Sequence, residues 1–563
     1  MADAQTARLC TQIIHSQFGP LTANVASVLL TRGRLTLPQI IRFTSLRPRT
    51  VRASVLVLVQ HNVLWHAQTE EEGEVLEVNI EECLLRLRFG RFVWQAGQLF
   101  GEAGAEIVQL ILDHGKLRPP DIISELSYND PKGSSRSAAT VYSQALHALV
   151  AAAYLKPSTI LSHISPRDKR IRYEAEEKQK ISGFPTAKEL REAKESAAAR
   201  LKREEEEAEK VGLKRKAKEQ KGPRGTKRKA VEEEEVVDPT VYFRVNCDKF
   251  NIHIRNTLIV KAAKERFNDG AALVLKTTLK VTESKQKDLL DVRTGNEACF
   301  RSFTCSTDHT EPITVSSIAV SLSDQEDLSS GLILKTKNPS NTACIKDYLG
   351  VLSSADNPTP AGRAAAFLSY NSSKVQVEFE TICKRLRRRV LESVTRERHD
   401  TQGVRILRLL LDTGKMDEKQ ISKVVMIPGK DVRPLLALMS AESLISTQEV
   451  PKSNDRNPAR MFYLWHVDLP KAYSVILGNL YKTLYNIGVR RQAEQEEPML
   501  KAVLAKRERS DVSQDEAALM SRMELDMIKE WEAKREKLTV LEMRAEESVF
   551  ILRDLGVFGI NDD

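Results

Sequence analysis

The chain has 563 residues, room for about four domains at ~150 residues each. Its 86 Lys and Arg exceed 77 Asp and Glu by +9, and with 29% charged and 41% hydrophobic residues it is slightly too polar for one compact enzyme yet too apolar for a disordered chain. The longest apolar stretch, Ala145–Leu155, falls far short of the ~18 residues of a membrane helix, and MADAQTARLC has no secretory core. Seven cysteines, at 10, 83, 247, 299, 305, 344 and 383, form no C-x-x-C pair and read as reduced thiols rather than zinc ligands or a disulfide frame.

In chain order, a repeat sets the architecture. SVLLTRGRLTLPQI, VQLILDHGKLRPPDI and LRLLLDTGKMDEKQI share paired aliphatics, Gly, a basic residue, Leu or Met, and a later Ile. The copies are Leu29, Leu30, Gly33, Arg34, Leu35, Ile40; Ile111, Leu112, Gly115, Lys116, Leu117, Ile122; and Leu410, Leu411, Gly414, Lys415, Met416, Ile421. The aliphatics predict the buried stripe of a first helix that Gly ends in a left-handed conformation. The basic residue is then placed towards the negative end of that helix dipole. Thr36 with Gln39, and Asp417 with Gln420, predict capping boxes for a second helix, while Pro119 opens it in the middle copy. A further shared spacing, Leu58–Leu64, Leu149–Leu155 and Leu438–Leu444, closes a third helix and leads into a strand. Runs on either side of Glu70–Gly73 and Pro451–Arg460 read as hairpins. Three helices and a hairpin make a winged helix, and the wider spacing of the middle copy implies an insertion near Tyr128–Arg136.

The predicted fold class is mainly α with small β wings: four tandem winged-helix domains and a C-terminal antiparallel coiled-coil hairpin. The domains are 1–92, 93–173, a charged disordered linker at 174–238 with helix over Ala187–Glu209, a diverged third winged helix at 239–365, a fourth at 366–470, and the hairpin with its tail at 471–563. The linker holds 18 basic and 17 acidic residues and cannot bury a core. Its clusters at Lys214–Lys218 and Lys227–Lys229 are spaced like a bipartite nuclear-import signal, or are accidents of a solvated charged segment. In the hairpin, Ile476, Leu480 and Leu484 form one stripe and Met523, Met527 and Trp531 the other, joined by a polar turn at Asn486–Pro498.

Chemistry is sparse. There is no phosphate-binding loop, FGEAGAE does not complete a dinucleotide fingerprint, and ten histidines stand apart without H-E-x-x-H. Trp65–His66 and Trp465–His466 fall in the wing region of two copies, as repeated positions of one fold rather than a metal pair. No catalytic residue, metal or cofactor is expected. Basic residues are more informative. Arg47, Arg49 and Arg52 open the first copy's third helix, and Lys132 and Arg136 sit in the second copy's insertion. Lys430 and Arg433 lie on the last third helix, Lys452, Arg456 and Arg460 on its wing loop, and residues 366–470 carry net +5. These are candidate nucleic-acid contacts, with a solvated surface or an acidic protein neighbour as the open alternatives. A second basic run covers Lys384, Arg385 and Arg387–Arg389.

Three segments, LCTQIIHSQFGPLTANVASVLLTRGRLTLPQI, DPTVYFRVNCDKFNIHIRN at 238–256 and GVRILRLLLDTGKMDEKQISKVVMIPGKDVRPLLALM at 403–439, resemble the RNA polymerase III subunit family of the RPC-three type, relatives of TFIIE alpha. The resemblance spans nearly the whole chain except the linker; the zinc ribbon of TFIIE alpha has no counterpart here. It implies a non-catalytic nuclear subunit whose partners are the other two members of the polymerase's heterotrimer, the polymerase clamp and core, and promoter or single-stranded DNA. Its implied role is promoter opening and initiation at tRNA and 5S rRNA genes, with the hairpin as anchor. A protein-only scaffold of winged helices is the competing class.

Overall fold

The computed structural model describes residues 3–69, 73–129, 135–181, 186–217, 233–283, 286, 289, 312–322, 328, 331–332, 340–357, 359–371, 373–451, 461–509, 511–512 and 519–555. They are mainly helical with small antiparallel sheets. Two compact units result, Met1–Leu258 with Thr282–Asp291 and Ile259–Val281 with Val292–Asp563.

The repeat glycines end helices. Gly33, Gly115 and Gly414 have φ of 86°, 82° and 84°, and each donates its N–H to the carbonyl four residues back. Other residues reach this region only at a cost. Two residues later the sheet begins: Leu35 pairs with Leu76, Leu117 with Phe243 and Met416 with Trp465. Capping boxes at Thr36–Gln39 and Asp417–Gln420 start the second helices, Leu37–Thr44 and Glu418–Val425. Pro119 opens the equivalent Pro119–Asn129. The third helices are Pro48–Gln60, Ser135–Ala151 and Gly429–Ala441, so the extra length of the second copy is shared between its second and third helices and the residues joining them.

The repeat also reaches further upstream than the aliphatic pattern indicates. Fourteen residues before each glycine stands a backbone break: Gly19 (φ 84°, ψ 176°), Gly101 (77°, −174°) and Asp400 (57°, −166°). It separates Ala4–Phe18 from Pro20–Arg32 and kinks Phe89–His114 and Phe379–Thr413. After the third helices, Asn62, Ala153 and Ser443 have φ of 59°, 60° and 59°. The next residues, Val63, Tyr154 and Leu444, donate to Leu58, Leu149 and Met439. The last copy is therefore one residue out of the expected register: buried Met439, not Leu438 (58% exposed), corresponds to Leu58 and Leu149.

The wings correct two domain limits. In the first copy Leu64–Thr69 pairs with Gly73–Val78, and in the last Ser446–Pro451 pairs with Met461–His466. In the second, Leu155–Pro157 pairs with Phe243–Val245. The second copy thus does not stop at 173, and the expected linker at 174–238 is part of an insertion, 158–242, between its wing strands rather than a linker after it. Nor are the described insertion residues structureless. Helices Pro166–Gln179 and Ala187–Lys210 pack together, with Tyr173 and Lys169 both donating to Glu204, and Leu213–Ala217 pairs with Glu233–Val237. Small buried alanines, Ala193 and Ala197, supply a contact face that a search for large aliphatics misses.

Helix Cys247–Arg266 follows directly, and its first part is the polar centre of the first unit. Buried Lys249 donates to the carbonyls of Glu283 (2.9 Å) and Gln286 (2.6 Å), and fully buried Arg255 to Gln286 Oε1 (2.6 Å). Asn256 donates to Glu283 Oε1 (2.7 Å), Arg88 donates to Asn251 (3.3 Å), and Tyr154 Oη lies 2.5 Å from His253 Nε2. Phe250 stacks on Phe92 with centroids 5.3 Å apart. Buried polar groups are tolerated because they are partnered.

In the second unit, Ile313–Thr314 leads into Val315–Ser321, then Asn341–Leu352, then strands Leu368–Asn371 and Lys374–Val377. The sheet order places Lys374–Val377 between the other two strands, so this segment runs past the expected limit at 365. The last copy's core includes Leu391, Leu407, Ile421, Leu436 and Met439, and continues into Tyr473, Ile476 and Leu552. The expected polar turn at Asn486–Pro498 narrows to Glu496 and Glu497, because helix Leu469–Gln495 extends over the rest and its charges pair across the helices: Lys534 with Glu494 (3.2 Å) and Arg491 with Glu542. These contacts run antiparallel to Arg522–Val549, with Pro498–Arg507 between. Ile476 and Leu480 pack with the last copy's core and Leu484 is buried. Met527 packs beside Ile528, Trp531 is half-buried under Arg535, and Met523 is 79% exposed, outside the packing expected of it.

Asp400 occupies a backbone region essentially reserved for glycine. Asp400→Gly should raise the urea midpoint, a gain of about 1 kcal/mol; a lowered or unchanged midpoint would show that the aspartate is not strained there.

Candidate nucleic-acid interface

Arg47 is the N-cap residue of Pro48–Gln60, and Pro48 fits the first helical position because its missing N–H needs no partner. Arg47, Arg49 and Arg52 are exposed, and none forms an ion pair with another described residue. Lys132, the side chain of Arg136, and Lys452, Arg456 and Arg460 lie outside the described residues. Lys430 is exposed as the second residue of Gly429–Ala441, whereas Arg433 donates to Glu418 Oε1 at 2.6 Å. Beside the loop that carries the last three basic residues, the wing strands expose Phe462 and Tyr463, opposite Val450 and Glu449.

Part of the run at 384–389 is turned inward. Arg385 stacks over Phe367 at 4.0 Å and donates to the Ala365 carbonyl; burial, then the charge of Arg266, pushes its pKa down to about 10. Arg387 stacks over Tyr473 at 4.2 Å, Arg388 binds Glu392 and Asp412, Arg389 binds Glu265, and Lys384 binds Glu380. Arg385 and Arg387 brace Phe379–Thr413 from within, whereas Lys384 and Arg389 stay exposed in surface ion pairs. Trp65 and Trp465 are not equivalent: one lies on a first wing strand, the other on a second. Among the described residues no group of three metal-ligating side chains occurs.

Three family descriptions match in succession: the RPC82 helix-turn-helix domain of RNA polymerase III at 8–68, RNA polymerase III subunit RPC82 at 144–374, and the POLR3C C-terminal winged-helix domain at 391–467. Relatives match along the whole chain. DNA-directed RNA polymerase III subunit RPC3 of Danio rerio is 26% identical over 88% of this chain and 85% of its own length. The Aspergillus niger rpc3 is 25% identical over 98% and 100%, and the Homo sapiens RPC3 is 24% identical over 97% of each. The chain belongs to the RPC3 (RPC82) family of RNA polymerase III subunits. The first and last matched domains of the RPC3 family coincide with the first and last copies of the repeat.

In this RPC3-family chain the repeat's basic position joins distant elements in the first two copies. Arg34 bridges Glu77 and Asp168, tying the first wing to the second copy's insertion. Lys116 is buried, donates to the Val59 carbonyl at 3.0 Å and lies 2.7 Å from His163 Nε2. Gln60 Nε2 returns to the carbonyls of His114 and Lys116, so these two copies are stitched together. A Cβ on Gly115 would stand 2.5 Å from the Gln60 carbonyl, which explains why glycine is needed there twice over. Sequence reasoning missed these roles because partners so distant leave no local spacing.

Burial, then Arg244, lowers the Lys116 pKa to about 8 from 10.5. The unfolded chain then binds more protons between these values, so this lysine makes stability rise with pH across that window. Lys116→Met should flatten that rise in urea melts at pH 8 to 10; an unaltered slope would remove Lys116 as its source.

Proposed function

We propose that this chain is a non-catalytic subunit of nuclear RNA polymerase III, a member of the heterotrimer that assists promoter opening and initiation at tRNA and 5S rRNA genes. The observation that carries this reading is the match of RNA polymerase III subunits over 97–98% of the chain. Its modules are four winged helices, with 313–377 as the third, and its C-terminal helix pair is the antiparallel coiled-coil anchor. The other two heterotrimer subunits and the polymerase clamp and core are its protein partners. Nuclear import is assigned to the clusters at 214–218 and 227–229. Of these, Leu213–Ala217 is a strand paired with Glu233–Val237, and Lys214 binds Asp238 at 2.6 Å.

DNA contact is assigned to the last copy. Lys430 is exposed there, and the loop with Lys452, Arg456 and Arg460 joins strands bearing exposed aromatics. Cations for phosphates beside flat apolar surfaces for bases suit promoter or single-stranded DNA. Replacing Lys452, Arg456 and Arg460 by Ala should weaken DNA binding and flatten its salt dependence by a slope of roughly 3. Affinity unchanged across a salt titration would remove this wing from the DNA site and favour a protein-only scaffold. Copurification of catalytic RNA polymerase III subunits with the tagged chain checks the assembly itself.

A further inference from the structure

The first copy has an unusual charge balance. Residues 4–69 hold seven arginines, at 8, 32, 34, 42, 47, 49 and 52, with no lysine and no acidic residue. Arg42 ends the second helix and Arg47, Arg49 and Arg52 begin the third; all four are exposed and without an ion pair to a described residue. With no carboxylate between residues 4 and 69, none of these four guanidinium groups has an acidic partner close by in sequence.

The same helix face is apolar further on. Arg49, Arg52 and Leu56 follow at helical spacing, and Leu56 is 69% exposed with Val57 beside it. Phe43, also exposed, lies at the end of the second helix with Arg32 stacked 3.9 Å from its ring centroid. Arginine and large apolar side chains together are the signature of a protein contact surface, and the guanidinium fork matches carboxylates bidentately.

The wing argues against duplex DNA. Strands Leu64–Thr69 and Gly73–Val78 are joined by Glu70, Glu71 and Glu72, and exposed Glu74 follows. A third helix set in a groove brings its wing to the flanking backbone, and a wing of acidic composition is unfavourable there because like charges repel. An acidic peptide can be followed by the arginine helix alone, without engaging the wing.

We propose that the third helix of the first copy is a docking site for an acidic protein segment bearing aromatic or aliphatic residues. Arg42, Arg47, Arg49 and Arg52 hold its carboxylates, and Leu56 and Phe43 hold its apolar side chains. This site is separate from the DNA contact assigned to the last copy, so either can fail alone.

The test uses the full chain, a short fluorescein-labelled peptide of repeated Asp-Glu-Phe, a poly-Glu peptide of equal charge, and labelled single-stranded and duplex DNA, read by anisotropy. The Asp-Glu-Phe peptide should bind more tightly than poly-Glu. Its affinity should fall about tenfold or more in the Arg47→Ala, Arg49→Ala, Arg52→Ala variant and several-fold in Leu56→Ser, as expected of central contact residues. Both DNA affinities should stay unchanged in these variants, and the Lys452, Arg456, Arg460 variant should still bind the peptide. Peptide affinity indifferent to the arginines or to Leu56 would overturn the proposal. So would a loss of DNA binding as large as the loss of peptide binding, which would return this face to nucleic acid.

Discussion

Each copy of the repeat depends on a contact only one or two residues long, the pairing of the residue after Gly-basic with the second strand of the wing. Leu35, Leu117 and Met416 make it with Leu76, Phe243 and Trp465. This bridge fixes where the second helix starts and holds the wing against the helices. In the second copy it must also close over the insertion at 158–242. For a flexible loop of about 85 residues the length-dependent term alone is roughly 4 kcal/mol. That burden is lightened because the insertion folds on itself, and the bridge is backed by Leu155–Pro157 pairing with Phe243–Val245 and by the polar centre of Cys247–Arg266.

Several of the densest basic positions are engaged in internal contacts. The dense run at 384–389 braces aromatic rings and acidic neighbours, and Arg34 and Lys116 join elements distant in sequence. Among the described residues, exposed cations without an ion pair include Lys276, Lys346, Arg396, Arg405, Lys419 and Lys423. Arginines stand at the turn into the first copy's third helix, and a lysine stands at the same turn of the last. Net charge therefore overstates the surface available to a polyanion, and exposure with partnership is the better measure.

The helical part of each copy was legible in the sequence because its signals are local. Glycine at a helix end, a capping pair three residues apart and a stripe of aliphatics need no knowledge of the rest of the chain. Reading failed where the signal is either non-local or carried by backbone. The second wing strand at Phe243–Val245 lies behind the charged insertion and looks, locally, like the start of another domain. Asp400 hides the upstream break because its side chain is not the glycine of the other copies. The shift from Leu438 to Met439 went unseen because adjacent aliphatics offer two registers and only burial chooses. For the candidate site, the sequence showed where basic residues cluster; which of those cations are free was not legible, since Glu418 and Phe367 reach Arg433 and Arg385 through tertiary packing.

The split wing also orders events during synthesis. The first copy has all its strands once residue 78 has left the ribosome, but the second cannot complete its sheet until Phe243–Val245 is made. At about 5–20 residues per second the interval from Pro157 to Val245 is roughly 4 to 18 s. Through that interval Leu155–Pro157 has no partner strand, and a nascent edge of this kind can pair with a neighbouring chain. The first copy, already folded and stitched to Lys116 through Val59 and Gln60, then acts as a template on which the second copy waits for its last strand.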